Sequence, residues 1–156
     1  MNDEVAAIIA RLGLEPLPQE GGFFRQIELS KERLPNGRAA RSVIWFLLTP
    51  EGFSALHRLQ TPETWCFSEG DAVEHVQLDP RDGRVRVTRL AVKGDAVTVP
   101  GGVWQGAQLA EVERGWARVQ CTMEPAWAEE EFELGERNSL AREFPAAAAR
   151  IAALTR

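Results

Sequence analysis

Apolar residues recur along this chain at two different spacings. Between residues 2 and 12, Val5, Ile8, Ile9 and Leu12 fall at i, i+3, i+4 and i+7, which predicts a short helix with one apolar stripe. Asn2 or Asp3 can cap its first turn, and Gly13 can stop it. "EPLPQEGG" then interrupts regular structure with two prolines and a glycine pair. From Phe23 to Met123 the pattern changes to short runs rich in Val, Trp, Phe and Thr. "FFRQIEL", "RSVIWFLL", "TWCF", "AVEHVQL", "RVRVTRL", "AVTVP" and "WARVQCTM" are separated by turn formers such as "LPNG", "TPEG", "SEG", "DPRDG", "VKG" and "PGG". No helix-length periodic segment lies between these runs, so they predict a sandwich or small barrel rather than β-α-β units. Together with the two glycine-anchored motifs described below, the expectation is an antiparallel double-sheet barrel of about ten strands. In "RVRVTRL" Val85, Val87 and Arg89 alternate with Arg84, Arg86 and Thr88, which predicts one solvated sheet face. The tail "SLAREFPAAAARIAALTR" reads as helix, with Pro145 suited to a first turn and Ile151 and Leu154 on one stripe. No repeat or linker divides the chain, so one domain is expected over residues 1–156.

Composition narrows the function classes. The 156 residues carry a formal charge of -5 with no Lys/Arg cluster longer than a pair, which argues against a phosphate-backbone binder. No nucleic acid partner is expected. Cys66 and Cys121 each sit inside a strand-like run, without the close spacing of a zinc or thiol-exchange motif, and read as buried thiols. The first residues, "MNDEVAAIIARLG", lack a basic leader region, and no segment approaches the ~20 apolar residues of a membrane span. A cytoplasmic protein with no membrane partner is the expectation.

The candidate chemistry lies in "HRLQTPETWCFSEG", residues 57–70. His57 and Glu63 sit on two strand-like runs, and taken alone a histidine and a glutamate six residues apart are as well explained by a structural hydrogen-bonded pair. Gly52 and Gly70 flank them, and "GDAVTVPGGVWQGAQL" follows with Gly94, Pro100, Gly102 and Gln105. Together the two segments resemble the two motifs of the cupin superfamily. The resemblance puts the first metal-binding histidine on His57 and the glutamate on Glu63, but the second histidine on Leu59, the third on Gln105 and the asparagine on Leu109. A catalytic metal normally keeps three protein ligands. Leu59 cannot coordinate, so no metal and no other cofactor is expected, and purified protein should hold much less than one equivalent of transition metal.

"LPQEGGFFRQ", "SVIWFLL", "HRLQTPETWCFSEGD", "VPGGVWQGA" and "EEFELGERNSLAREFP", read in order, are similar to a cupin-like family of uncharacterised proteins, formerly domain of unknown function 985. Its features fall on Glu20, Gly21, Gly22, Phe23, Phe24 and Arg25, and on His57, Arg58, Glu63 and Trp65. Pro18 is displaced from its usual place by Gln19, and two phenylalanines stand where tyrosine is frequent. The resemblance implies an all-β double-stranded β-helix (a jelly-roll barrel) with N- and C-terminal helices, related in fold to sugar-nucleotide epimerases.

Strand alternation puts His57 and Leu59 on one face, and Glu63, Trp65 and Phe67 on one face of the next strand. Facing inward, these would form a pocket for a small polar ring compound, with Gln105 at its rim, and His57 and Glu63 as its reactive pair. Glu20 and Arg25 would sit across the rim, as ligand contacts or as a salt bridge closing the mouth; Arg58 belongs to the same candidate set. Trp104 lies on the parity opposite Gln105 and can pack outside the barrel or on a partner subunit. A carbohydrate or nucleotide-sugar ligand is expected. The alternatives are a sugar-nucleotide epimerase or isomerase with His57 as base, for which the chain has no tyrosine to serve as acid, or a structural or regulatory barrel with a vestigial pocket. A homodimer is expected from the apolar "SVIWFLL" run with Phe23 and Phe24.

Overall fold

The computed structural model describes residues 2–156. Helix α1 spans Asp3–Leu12; Asn2 caps it by accepting the Val5 N–H at 2.7 Å, and Gly13 ends it in the left-handed region at φ 65°. Eleven strands follow among the described residues. They are β1 (Glu15–Pro16), β2 (Phe23–Leu29), β3 (Ser42–Leu48), β4 (Ser54–Arg58), β5 (Glu63–Gly70) and β6 (Val73–Leu78), then β7 (Val85–Leu90), β8 (Ala96–Val99), β9 (Trp104–Leu109), β10 (Ala117–Met123) and β11 (Glu133–Leu134). One sheet runs in the order β1-β2-β3-β10-β5-β8 and the other β11-β4-β9-β6-β7, with every pairing antiparallel. This is the double-sheet jelly roll implied by the family resemblance, and it accounts for the turn spacing.

The period-2 alternation of each strand sorts its side chains between three apolar layers. Phe46, Leu48, Trp65, Phe67, Val119 and Cys121 meet between the sheets. Val5 and Ile8 of α1 cover Leu47 and Trp116 on the outer face of the six-stranded sheet. On the outer face of the five-stranded sheet, Leu56, Leu78 and Trp104 lie beneath Leu140, Phe144, Ile151 and Leu154 of the C-terminal segment. Much of the "SVIWFLL" run is thus buried within its own chain, with Ile44 and Trp45 half-buried.

The tail differs from one continuous helix. It forms α2 (Arg137–Glu143), a 3-10 turn at Pro145–Ala147 and α3 (Ala148–Ala153). The cause is local: Pro145 excludes Phe144 from the helical region, and Phe144 takes φ -125° and ψ 66°. The break turns α3 so that Ile151 and Leu154 reach the same layer as Phe144.

Candidate functional site

His57 lies on β4 beside Gln105 of β9, at paired register positions, and its ring is 1% exposed. His57 Nδ1 is 2.7 Å from the Ala55 carbonyl oxygen, which can only accept, so Nδ1 carries the proton and Nε2 keeps its lone pair. Nε2 faces Glu20 Oε1 at 3.6 Å. Phe132 stacks on the imidazole, with ring centroids 5.4 Å apart. Burial pushes the His57 pKa below its ordinary value, against the opposing charge of Glu63, and the imidazole is neutral.

Glu20 arrives on the loop after β1. Gly21 (φ 99°) and Gly22 (φ 71°) make its approach possible: a side chain on Gly22 would run into the Phe46 ring and the Leu47 carbonyl. The Glu20 carboxylate accepts the Ser54 hydroxyl at 2.7 Å, and the Glu20 carbonyl accepts the Ala55 N–H at 2.8 Å. Arg156 clasps the loop from outside. Its guanidinium stacks over Phe53 at 3.9 Å and donates to the carbonyls of Glu20, Phe53 and Glu51 at 2.9, 3.0 and 3.3 Å. An Arg156→Ala variant should therefore lose about 1–2 kcal/mol of stability and show faster hydrogen exchange at residues 19–22. Unchanged exchange there would mean that the loop is held by the glycines and the Ala55 N–H alone.

Glu63, at the start of β5, is 7% exposed. Burial first, then the charge of Glu20, raises its carboxyl from 4.5 to about 7. Glu20 likewise rises to about 7 through burial, resisted by Ser54 and Arg156. Trp65, two residues on, donates its indole N–H to Gln105 Oε1 at 2.8 Å and meets His75 edge-on, with centroids 4.9 Å apart. His75 on β6 is fully buried and held to about 3 by that burial; the Gln105 amide faces it, but at a geometry short of a hydrogen bond.

Beside this cluster a cavity of about 110 Å³ opens on the inner face of the six-stranded sheet. Glu20, Glu63, Trp65, Leu59, Cys121 and Met123 line its depth, while Phe24, Gln26 and the half-exposed Trp127 surround its mouth. Of the expected site residues, Glu20, Glu63 and Trp65 form its walls. His57 and Gln105 stand behind the carboxyls rather than on the cavity surface, and Phe67 belongs to the inter-sheet core.

The structure separates three expected residues from this cavity. Arg25 lies between Phe24 and Gln26, both cavity-facing, so alternation turns it to the outer face, where its guanidinium packs against Gly13. It forms no salt bridge with Glu20, whose carboxylate accepts from Ser54 and lies 3.6 Å from His57 Nε2. Arg58 follows the inward His57 and points outward: it stacks over Trp104 at 4.4 Å and pairs with Glu133 at 2.6 Å. Trp104 is in turn buried beneath the C-terminal helices. Ser54, His75, Phe132 and Trp127 were missed by sequence reasoning. His75 shares the strand parity of the inward Val73 and could have been placed inward on that ground; Trp127 and Phe132 follow β10 in irregular chain, where no period points to the site.

Residues 6–135 match the family model of the Cupin superfamily (DUF985). The chain belongs to this family. Solved structures similar to this cupin include a protein from Shewanella oneidensis, 27% identical with TM-score 0.89 over 100% of this chain and 98% of that one. A hypothetical protein from Leishmania major is 29% identical with TM-score 0.84, over 96% and 97% of the two chains. Oxalate decarboxylase from Bacillus subtilis is 17% identical with TM-score 0.60; the match spans 90% of this cupin but 37% of the decarboxylase, and it shows the fold alone. No curated protein gives a significant match.

That decarboxylase has Mn(II) centers. The residues of this cupin do not fit such an ion. Leu59 presents hydrocarbon where the superfamily pattern has a ligand, the Gln105 oxygen is taken by the Trp65 N–H, and among the described residues no three His, Cys, Asp or Glu side chains converge as a ligand set. Among the described residues no helix is long and apolar enough to cross a membrane.

Proposed function

We propose that this cupin binds a small organic molecule in the cavity between Glu63 and the Glu20 loop. The observation that carries the reading is the buried Glu63 carboxyl and the largely buried Glu20 carboxyl on the wall of a mostly apolar, aromatic cavity. Buried ionisable groups are costly to maintain in a merely structural core, and they cluster where ligands are handled. Size supports a compact ligand. A cavity of about 150 Å³ accommodates benzene, so the 110 Å³ here suits about five to seven non-hydrogen atoms. A sugar ring would need the mouth at Gln26 and Trp127 to open, and a nucleotide-sugar would have to leave its nucleotide outside.

The epimerase reading asked His57 to reach a substrate carbon. Its Nε2 faces Glu20 Oε1 at 3.6 Å, and His57 is not among the residues that line the cavity. This favours binding over carbon-acid chemistry.

Leu59→Phe directs a ring into the void and tests the reading. The variant should fold with a stability change within about 1–3 kcal/mol and lose saturable binding of compact ligands, as read by ligand-observed NMR on a fragment panel. Equal binding by parent and variant would overturn the reading. The homodimer is also a proposal, supported by Ile27 and Leu29, which are 42% and 46% exposed on β2. A sedimentation mass of 17.3 kDa at micromolar concentration would refute it.

A further inference from the structure

The polar groups of the cavity are unbalanced in charge. Two carboxyls, Glu20 and Glu63, face it, together with the Gln26 amide, the Ser42 hydroxyl and the Cys121 thiol, while no Lys, Arg or His lines it. Glu63 is more than nine-tenths buried and has no ion-pair partner among the described residues. Its neighbours are the Gln105 amide, the Trp65 indole and a neutral imidazole. His57 cannot readily supply the missing charge, because burial opposes its protonation. Arg156 is the cation nearest Glu20, and its guanidinium is committed to backbone carbonyls on the outer side of the loop. Behind Trp65, His75 is neutral as well.

Resting on the binding reading above, we infer that the ligand of this cavity is a small organic cation, an ammonium group carried between Glu20 and Glu63 and against the aromatic walls. Two buried carboxylates without a counter-ion repel each other and lack solvation; a bound cation relieves both penalties at once. Trp65 and Phe46 line the void, with Trp127 at the mouth, and a desolvated ammonium is attracted to the negative face of such rings. An anion would face the two carboxyls with no Lys, Arg or His on the cavity wall to balance it. Because the two carboxyls must be ionised to hold a cation, binding releases protons and strengthens as pH rises through about 7. Cys121, held neutral by its own burial and by the two carboxyls, does not enter this balance.

Three probes of similar size and different charge test the inference: tetramethylammonium, tert-butanol and pivalate, each titrated at constant ionic strength into the full chain. At pH 8 tetramethylammonium should bind at least about tenfold more tightly than tert-butanol, with pivalate weaker than both. Glu63→Gln should reduce the ratio of tetramethylammonium to tert-butanol affinity to about threefold or less, and lowering the pH from 8 to 6 should weaken the cation by up to about a hundredfold in the parent, about tenfold for each carboxyl that must ionise. Tert-butanol or pivalate binding as tightly as the cation, with all three sensitive to Leu59→Phe, would overturn the cation assignment and leave the binding reading standing. No saturable binding by any probe would overturn both.

Discussion

Trp65→Ala is expected to lower the unfolding free energy by ~3–5 kcal/mol. The indole is 1% exposed, packs edge-on against Phe46 with centroids 5.6 Å apart and against His75, and lies in the layer that joins the two sheets. Truncation removes this packing and enlarges an existing void, since Trp65 is itself a cavity wall. It also strips Gln105 Oε1 of its donor. Trp65→Phe separates the two effects: it keeps a ring in place but leaves the buried amide oxygen unpaired, at about 1–3 kcal/mol. Urea midpoints of the two variants read the difference. A loss below about 1 kcal/mol in the alanine variant would contradict the seating of this side chain between the sheets.

The second large effect concerns the pH dependence of stability. Glu20 and Glu63 are raised from 4.5 to about 7, so between these values the folded chain keeps protons that the unfolded chain releases. Their contribution is fully present at low pH and is lost as pH rises through that window. His57 is lowered and His75 falls from 6.5 to about 3, both through burial. Below 6.5 the unfolded chain gains protons that the folded imidazoles refuse, so this part of the stability is lost as pH falls. Between pH 4.5 and 6.5 the two pairs oppose each other, and the parent profile should be shallow. Glu63→Gln removes one carboxyl and leaves an imidazole unopposed, at about 1.4 kcal/mol per pH unit. The variant should lose roughly 2–3 kcal/mol relative to the parent on going from pH 6.5 to 4.5, and His75→Phe should tilt the profile the other way. Parallel profiles for parent and variants would show that these buried groups do not titrate as a set.

The fold was legible because its two periodicities are unambiguous. The stripe of Val5, Ile8, Ile9 and Leu12 and the turn-bounded strands each permit one arrangement of faces. The site was legible where a strand has one clear inward parity, as with Glu63, Trp65 and Phe67. It was obscured in β2, where the doublet Phe23-Phe24 gives no preference between faces and Arg25 was assigned to the rim; a register shift between Gln26 and Glu28 disturbs the alternation further. Arg58 belongs to the candidate set through the family resemblance, which carries no facing, and Trp104, on the parity opposite Gln105, packs on the outer face of its own barrel, where Arg58 stacks over it. Ser54 meets Glu20 across 34 positions of sequence, and no local pattern encodes such a contact.

The two cysteines carry a consequence for chemical labelling. Cys121 lines the cavity and is buried, with its thiol held neutral, whereas the half-buried Cys66 alternates with Trp65 and Phe67 and is turned away from the interior. A small thiol-reactive reagent should modify Cys66 first and Cys121 only when it enters the void. Within one molecule, the first reaction then serves as an internal clock for reagent activity and the second as a footprint of occupancy. A compound that slows modification of Cys121 without slowing that of Cys66 reports its own position by mass spectrometry, whatever its chemical identity.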